Sequence, residues 1–142
     1  MNLIKKLNKI KNLFFKKENI YLIILILLIF FFDRFSKIEI ISNFSENTFF
    51  INDFVNFDLI WNVGIGFGLL SFDSSIIYNL VTILIGFVIS TLFYIFIVSK
   101  KLDKLIFSII IGGAFGNFYD RLFYSAVPDF IDLHYNKFHW FT

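Results

Sequence analysis

A small α-helical bundle embedded in a membrane, carrying a β-rich segment on its extracytoplasmic side, is the fold class this sequence predicts. Three observations lead there. Hydrophobic residues make up 58% of the 142 positions and mean hydropathy is +0.76, above the roughly half-apolar composition of soluble domains. The apolar residues gather in three runs that approach the ~20 residues a bilayer requires. The lysines cluster at one end of these runs, at positions 5–17 and 100–104, whereas 43–73 holds four acids and no Lys or Arg. By the positive-inside rule that asymmetry places the N-terminus in the cytoplasm.

Residues 1–19 interleave Lys5, Lys6, Lys9, Lys11, Lys16 and Lys17 with Leu3, Ile4, Leu7, Ile10, Leu13 and Phe14, an approximately helical alternation. A solvated basic tail and an interfacial helix on an anionic leaflet both fit. The first span begins at Ile20, is unbroken to Phe32, meets Asp33, Arg34, Lys37 and Glu39, and closes near Ile41. A secretory signal peptide shares the basic-then-apolar order, but no small-residue cleavage site follows. The 43–73 segment carries β-prone stretches at Thr48–Ile51 and Leu59–Val63, then glycines at Gly64, Gly66 and Gly68. A second span runs from Ile76 to Val98, a short cytoplasmic turn holds Lys100, Lys101 and Lys104, and a third span starts near Leu105 and ends in the polar cluster Asn117–Arg121. Leu122–Thr142 returns outside. The expected organisation is a basic cytoplasmic segment, 1–19, and one membrane-embedded domain, 20–142.

Composition also excludes functions. A net charge of +2 argues against a nucleic-acid partner. Without Cys there is no disulfide, thiolate nucleophile or cysteine-based metal site. The two histidines, His134 and His139, are too few to predict a His cluster, so neither a metal nor a cofactor is expected. The 23 Phe residues, alongside abundant Ile, Asn and Lys, fit AT-rich coding and individually carry little functional weight.

Ionisable groups at membrane depth cost about 2.5–3.5 kcal/mol each on insertion scales, so those retained are candidates for function. Asp33 and Lys37 sit at i, i+4 and share a helix face; an interfacial ion pair explains them equally well. Asn62 beside Gly64, Gly66 and Gly68 allows close backbone approach to a peptide, or forms a plain turn before a helix. Gly112 and Gly116 make a G-x-x-x-G packing seam, which does not account for Asn117, Asp120 and Arg121 on the following turns. Asp129 and Asp132 flank apolar residues after Pro128, which restricts the backbone before Asp129. A carboxylate in apolar surroundings has its pKa raised and can act as general acid or base.

In this order the four stretches resemble the lipoprotein signal peptidase family, also called signal peptidase II. The family's D-x-x-[ST]-K is matched by Asp33, Ser36 and Lys37. Its N-x-G-x-A-F-[GS] is matched by Asn62, Gly64, Phe67 and Gly68, with Gly66 in place of the usual Ala. G-G-A-x-G-N-x-x-D-R is matched at every specified position from Gly112 to Arg121, and V-x-D-F-x-D from Val127 to Asp132.

The resemblance implies an aspartic endopeptidase that removes signal peptides from diacylglyceryl-modified prolipoproteins. It implies a multi-pass protein of the bacterial inner membrane, with its site at the periplasmic face and neither metal nor cofactor. Expected partners are the lipidated prolipoprotein and membrane lipids, with no nucleic acid, and the chain is expected to be a monomer. One catalytic carboxylate maps onto Asp129. The other belongs to a later F-N-x-A-D motif, which would begin where Phe141 and Thr142 end the sequence. The second catalytic Asp and a fourth span are therefore expected to be missing, and this form to be inactive. Asp120 and Asp132 are the substitutes to weigh. Asn62, Gly64, Asn117 and Arg121 would bind substrate backbone or order the site, Asp120 would pair with Arg121 or Asn117, and Asp33, Lys37, Asp120 and Asp132 would be structural polar residues. The alternatives are a non-catalytic membrane protein that binds lipid or another helix, and a transporter subunit with a proton path through Asp33, Asp120 and Asp129.

Overall fold

Three long apolar helices carry a four-stranded sheet at one end of the bundle. The computed structural model describes residues 8, 13–43, 48–64, 75–136 and 138–141. In chain order these form α1 (Lys17–Asn43), β1 (Phe49–Asn52), β2 (Val55–Asn62), α2 (Ser75–Val98), α3 (Lys101–Tyr124), β3 (Val127–Tyr135) and β4 (Phe138–Phe141). All three helices are long and apolar enough to cross a membrane. At 1.5 Å per residue the shorter two reach about 36 Å, more than the ~30 Å hydrocarbon core.

The helices expose many large apolar side chains and bury several polar and charged ones. Phe32, Ile76, Leu102 and Phe123 are exposed, whereas Asn19, Lys104, Ser108, Asp120 and Arg121 are buried. In a lipid solvent, apolar burial does little to drive helices together, so tight packing and interhelical hydrogen bonds carry association. Both are present. α3 packs against α1 and α2. At Gly112 a Cβ would lie 2.7 Å from Ile29 Cβ and 3.0 Å from the Ile26 carbonyl, so α1 and α3 approach there only because the side chain is absent. At Gly113 nothing lies within 4 Å. The seam is therefore Gly112 and Gly116, as the G-x-x-x-G spacing predicts.

α3 begins at Lys101, not near Leu105. Lys104 belongs to its first turn, and its Nζ donates to Asn19 Oδ1 at 2.6 Å and to Glu18 Oε1 at 3.3 Å. Asn19 Nδ2 in turn donates to the Leu13 carbonyl. Lys104 is thus an interior polar clasp and not a loop charge. The apolar core beside it joins Ile26, Phe96, Ile97 and Ile111, with Leu13 and Phe14 packed against it. Residues 13–19 therefore belong to the bundle, and most of the basic segment before them lies outside the described residues.

The sheet runs β1-β2-β3-β4, all antiparallel. Asn52 Oδ1 accepts from the backbone N–H of Phe54 and Val55, closing the β1–β2 turn. Half of the sheet comes from after α3. The sequence pattern placed β structure only between the first two spans; in fact Asp129 too lies on a strand, β3, opposite Ile60 of β2. Ser125, left-handed at φ 54°, ends α3 and turns the chain into β3. Asn136, also at φ 54°, makes the turn before β4, a conformation Asn tolerates better than most residues.

Candidate active site

Asp33, Ser36 and Lys37 of α1, Asn117 of α3, and Asp129 with its neighbours on β3 line one cavity of about 220 Å³. It lies where β3 folds back over the sheet end of the bundle. Asp129 is the strand's contribution. Asn62 Nδ2 donates to Asp129 Oδ2 at 2.8 Å, and Asn62 Oδ1 accepts from the Gly64 N–H at 2.8 Å. One amide thus holds the carboxylate and the start of the glycine-rich stretch together. Burial raises the Asp129 carboxyl above the usual aspartate range; the Asn62 hydrogen bond and the charges of Lys37 and Arg121 oppose that shift, and Asp120 adds to it.

Behind the cavity is a buried charge cluster. Lys37 Nζ lies 2.7 Å from Asp120 Oδ2, 2.7 Å from Asn117 Oδ1 and 3.1 Å from Asp33 Oδ1. Arg34 pairs with Asp120 Oδ1, and its guanidinium lies over the Tyr119 ring, 4.9 Å from the centroid. Asp120 is therefore committed to Arg34 and Lys37 across the α1–α3 seam, and not to Arg121 or Asn117 as its neighbours in sequence suggested. Gly116 is what admits Asp33: a Cβ there would overlap the Asp33 carboxylate.

Arg121 faces the loops. It donates to the Gly64 carbonyl at 3.1 Å and to the Asn117 carbonyl at 3.2 Å, while its own carbonyl accepts from Tyr78 Oη. Gly66, Phe67 and Gly68 lie outside the described residues. Asp132 is fully inside the sheet and bonds to His139. An odd spacing along a strand puts it on the face opposite Asp129. Neither Asp120 nor Asp132 is among the residues that line the cavity.

Two features escaped the sequence reading. Arg34 occupies an unspecified position of D-x-x-[ST]-K, and only its i, i+3 partner Lys37 hinted that it faces inward. Asp33, expected to be purely structural, lines the same cavity as Asp129; its carboxylate is partly exposed there.

Residues of three of the four motifs line this one cavity, and Asn62 of the fourth holds its Asp129. The sequence model described as Signal peptidase (SPase) II matches residues 25–142. The chain belongs to the signal peptidase II family. The lipoprotein signal peptidase of Pelagibacter ubique (strain HTCC1062) is 48% identical over 129 residues, covering 88% of this chain and 78% of that protein. The lipoprotein signal peptidase of Wigglesworthia glossinidia brevipalpis is 37% identical over 119 residues, covering 82% and 78%. Among solved structures, a bacterial membrane enzyme determined by the in meso method at 2.3 Å resolution superposes with a TM-score of 0.67 at 29% identity, covering 85% of this chain and 76% of that one. A second such structure, at 1.9 Å resolution, gives 0.64 at 28% identity. This signal peptidase II chain is thus a membrane protein of aspartic-protease lineage.

Proposed function

We propose that this chain carries the prolipoprotein-processing site of a signal peptidase II, with Asp129 as one of the two carboxylates that share a proton. The observation that carries the proposal is the placement of Asp129 in a cavity at the bundle end, held by Asn62, with burial raising its carboxyl above the usual aspartate range. In an aspartic protease one carboxylate activates water while the other protonates or polarises the scissile carbonyl. The second carboxylate is expected from the F-N-x-A-D motif that follows V-x-D-F-x-D in the family. Asn62 and Arg121 order the loop at Gly64, and Asn117 with Lys37 braces the floor of the cavity. The substrate is a diacylglyceryl-modified prolipoprotein that approaches from within the bilayer, past the lipid-facing helices. The site faces the periplasm, and the N-terminus the cytoplasm.

The test is cleavage of a diacylglyceryl prolipoprotein by the chain joined to a family-type F-N-x-A-D motif and following span. Asp129→Asn removes the proton acceptor, and general acid–base groups contribute about 10²–10⁴-fold, so its rate should fall by at least that much. The exposed Asp53→Asn should cleave like the parent. Full activity in Asp129→Asn would refute the assignment.

A further inference from the structure

On the sheet face away from the cavity, β3 and β4 bring Asp132, His134 and His139 together. We propose that these three residues form a structural site for a divalent transition-metal cation of the Zn²⁺ class, tying β4 to the strand that carries Asp129. The inference stands apart from the peptidase reading, because metal binding is measured directly.

The donor atoms are already gathered. His139 Nδ1 lies 2.8 Å from Asp132 Oδ1, His134 Nδ1 lies 3.2 Å from Asp132 Oδ2, and one ligand atom from each residue falls within 4.8 Å of the others. Two ligands at 2.0–2.1 Å on a tetrahedral ion stand about 3.3 Å apart, so small side-chain shifts would seat one. The two rings stack with centroids 5.4 Å apart, both turning Nδ1 to the same carboxylate. Two imidazoles and a carboxylate are a donor set suited to Zn²⁺ and its neighbours, and poorly suited to Mg²⁺, which prefers oxygen ligands and water.

An independent observation points to a ligand. His134 has a side chain only 10% exposed, and its buried Nδ1, although 3.2 Å from Asp132 Oδ2, makes no hydrogen bond of acceptable geometry. Asn56 Oδ1, on the adjacent strand, is a second buried atom with no partner, and the Asn56 amide nitrogen sits 3.5 Å from His134 Nε2. Turning that amide end for end lets Oδ1 accept from Nε2–H, which leaves the Nδ1 lone pair free for a metal. Outer-shell acceptors of this kind commonly set the tautomer of metal-bound histidine. The turned amide pairs Asn56 Oδ1, and a bound cation then pairs the remaining orphaned atom, His134 Nδ1. His139, more than half exposed, provides the entry side.

Zn²⁺ titration of the tag-free full chain in detergent, after chelator treatment, tests the site. The parent should bind one equivalent, with Mg²⁺ in excess failing to compete. His139→Gln, at an exposed position that the fold does not need, should bind at least about 100-fold more weakly, and His134→Gln likewise, the upper end of what even outer-shell losses cost. Zn²⁺ should raise the thermal midpoint of the parent and leave that of His139→Gln unchanged. Failure of the parent to bind Zn²⁺, or equal binding by His139→Gln, overturns the proposal. So does stabilisation by acid alone with no response to Zn²⁺, which would assign the cluster to imidazolium–carboxylate pairing.

Discussion

Lys37 and Asp120, 83 residues apart in sequence, meet at 2.7 Å inside the helix pair that supports the candidate site. Asp120 also takes Arg34, and Asp33 lies within ion-pair distance of both cations, so two carboxylates balance two buried cations, while Lys37 reaches on to Asn117. This cluster joins α1 to α3 directly behind the cavity that contains Asp129.

Loss of Asp120 should therefore be severe. Removing one partner of a buried ion pair costs about 3–5 kcal/mol, because it leaves an uncompensated charge. Asp120→Ala should lower the thermal midpoint in detergent sharply, and adding Lys37→Met should recover part of the loss. Independent, additive effects of the two changes would contradict the coupling.

The three glycines of α3 should respond differently to one added methyl group. Gly116→Ala pushes on the Asp33 carboxylate and Gly112→Ala on Ile29 and the α1 backbone; both should destabilise. Gly113→Ala meets open space and should be neutral or stabilising, by up to about 1 kcal/mol from helix propensity. Thermal unfolding of the three variants side by side decides it, and equal effects would reject the seam.

Asp129 makes stability depend on pH. Its folded-state pKa is raised, chiefly by burial, so the fold prefers the protonated carboxyl. The resulting stabilisation is full below the unfolded aspartate pKa and is lost as pH rises through the folded value. Asp129→Asn keeps an oxygen acceptor for Asn62 and cannot ionise. It should be more stable than the parent near neutral pH, with the gap closing under acid conditions. Melting midpoints measured from about pH 3 to 8 should show that convergence; a gap that widens in acid would reverse the sign of the argument.

Orientation can be read with single cysteines, because the chain contains none. Asp53→Cys, exposed in the β1–β2 turn, should react with an impermeant thiol reagent on intact spheroplasts. Lys100→Cys, exposed between α2 and α3, should react only after the membrane is opened. The reverse pattern would turn the protein over in the bilayer.

The sequence by itself determined the three helices, their glycine seam and the identity of the residues that gather at the cavity. Hydropathy and small-residue spacing are local properties, and a bilayer imposes a minimum helix length that 20–25 apolar residues must meet. Only the tertiary structure decided which polar groups pair. Asp120 bonds to α1 instead of its neighbours because Arg34 and Lys37 face α3 across Gly112 and Gly116, and helix contacts follow facing sides rather than sequence adjacency. Lys104 turns inward to Asn19 for the same reason. Asp129 lies on a strand because β3 finds β2 as a partner across the whole of α2 and α3; strand pairing depends on that distant edge, and a short apolar stretch cannot announce it. The association of His134 and His139 with Asp132 is likewise a product of the β3–β4 hairpin, in which alternation along β3 puts Asp132 and His134 on one face and the turn at Asn136 returns His139 to them.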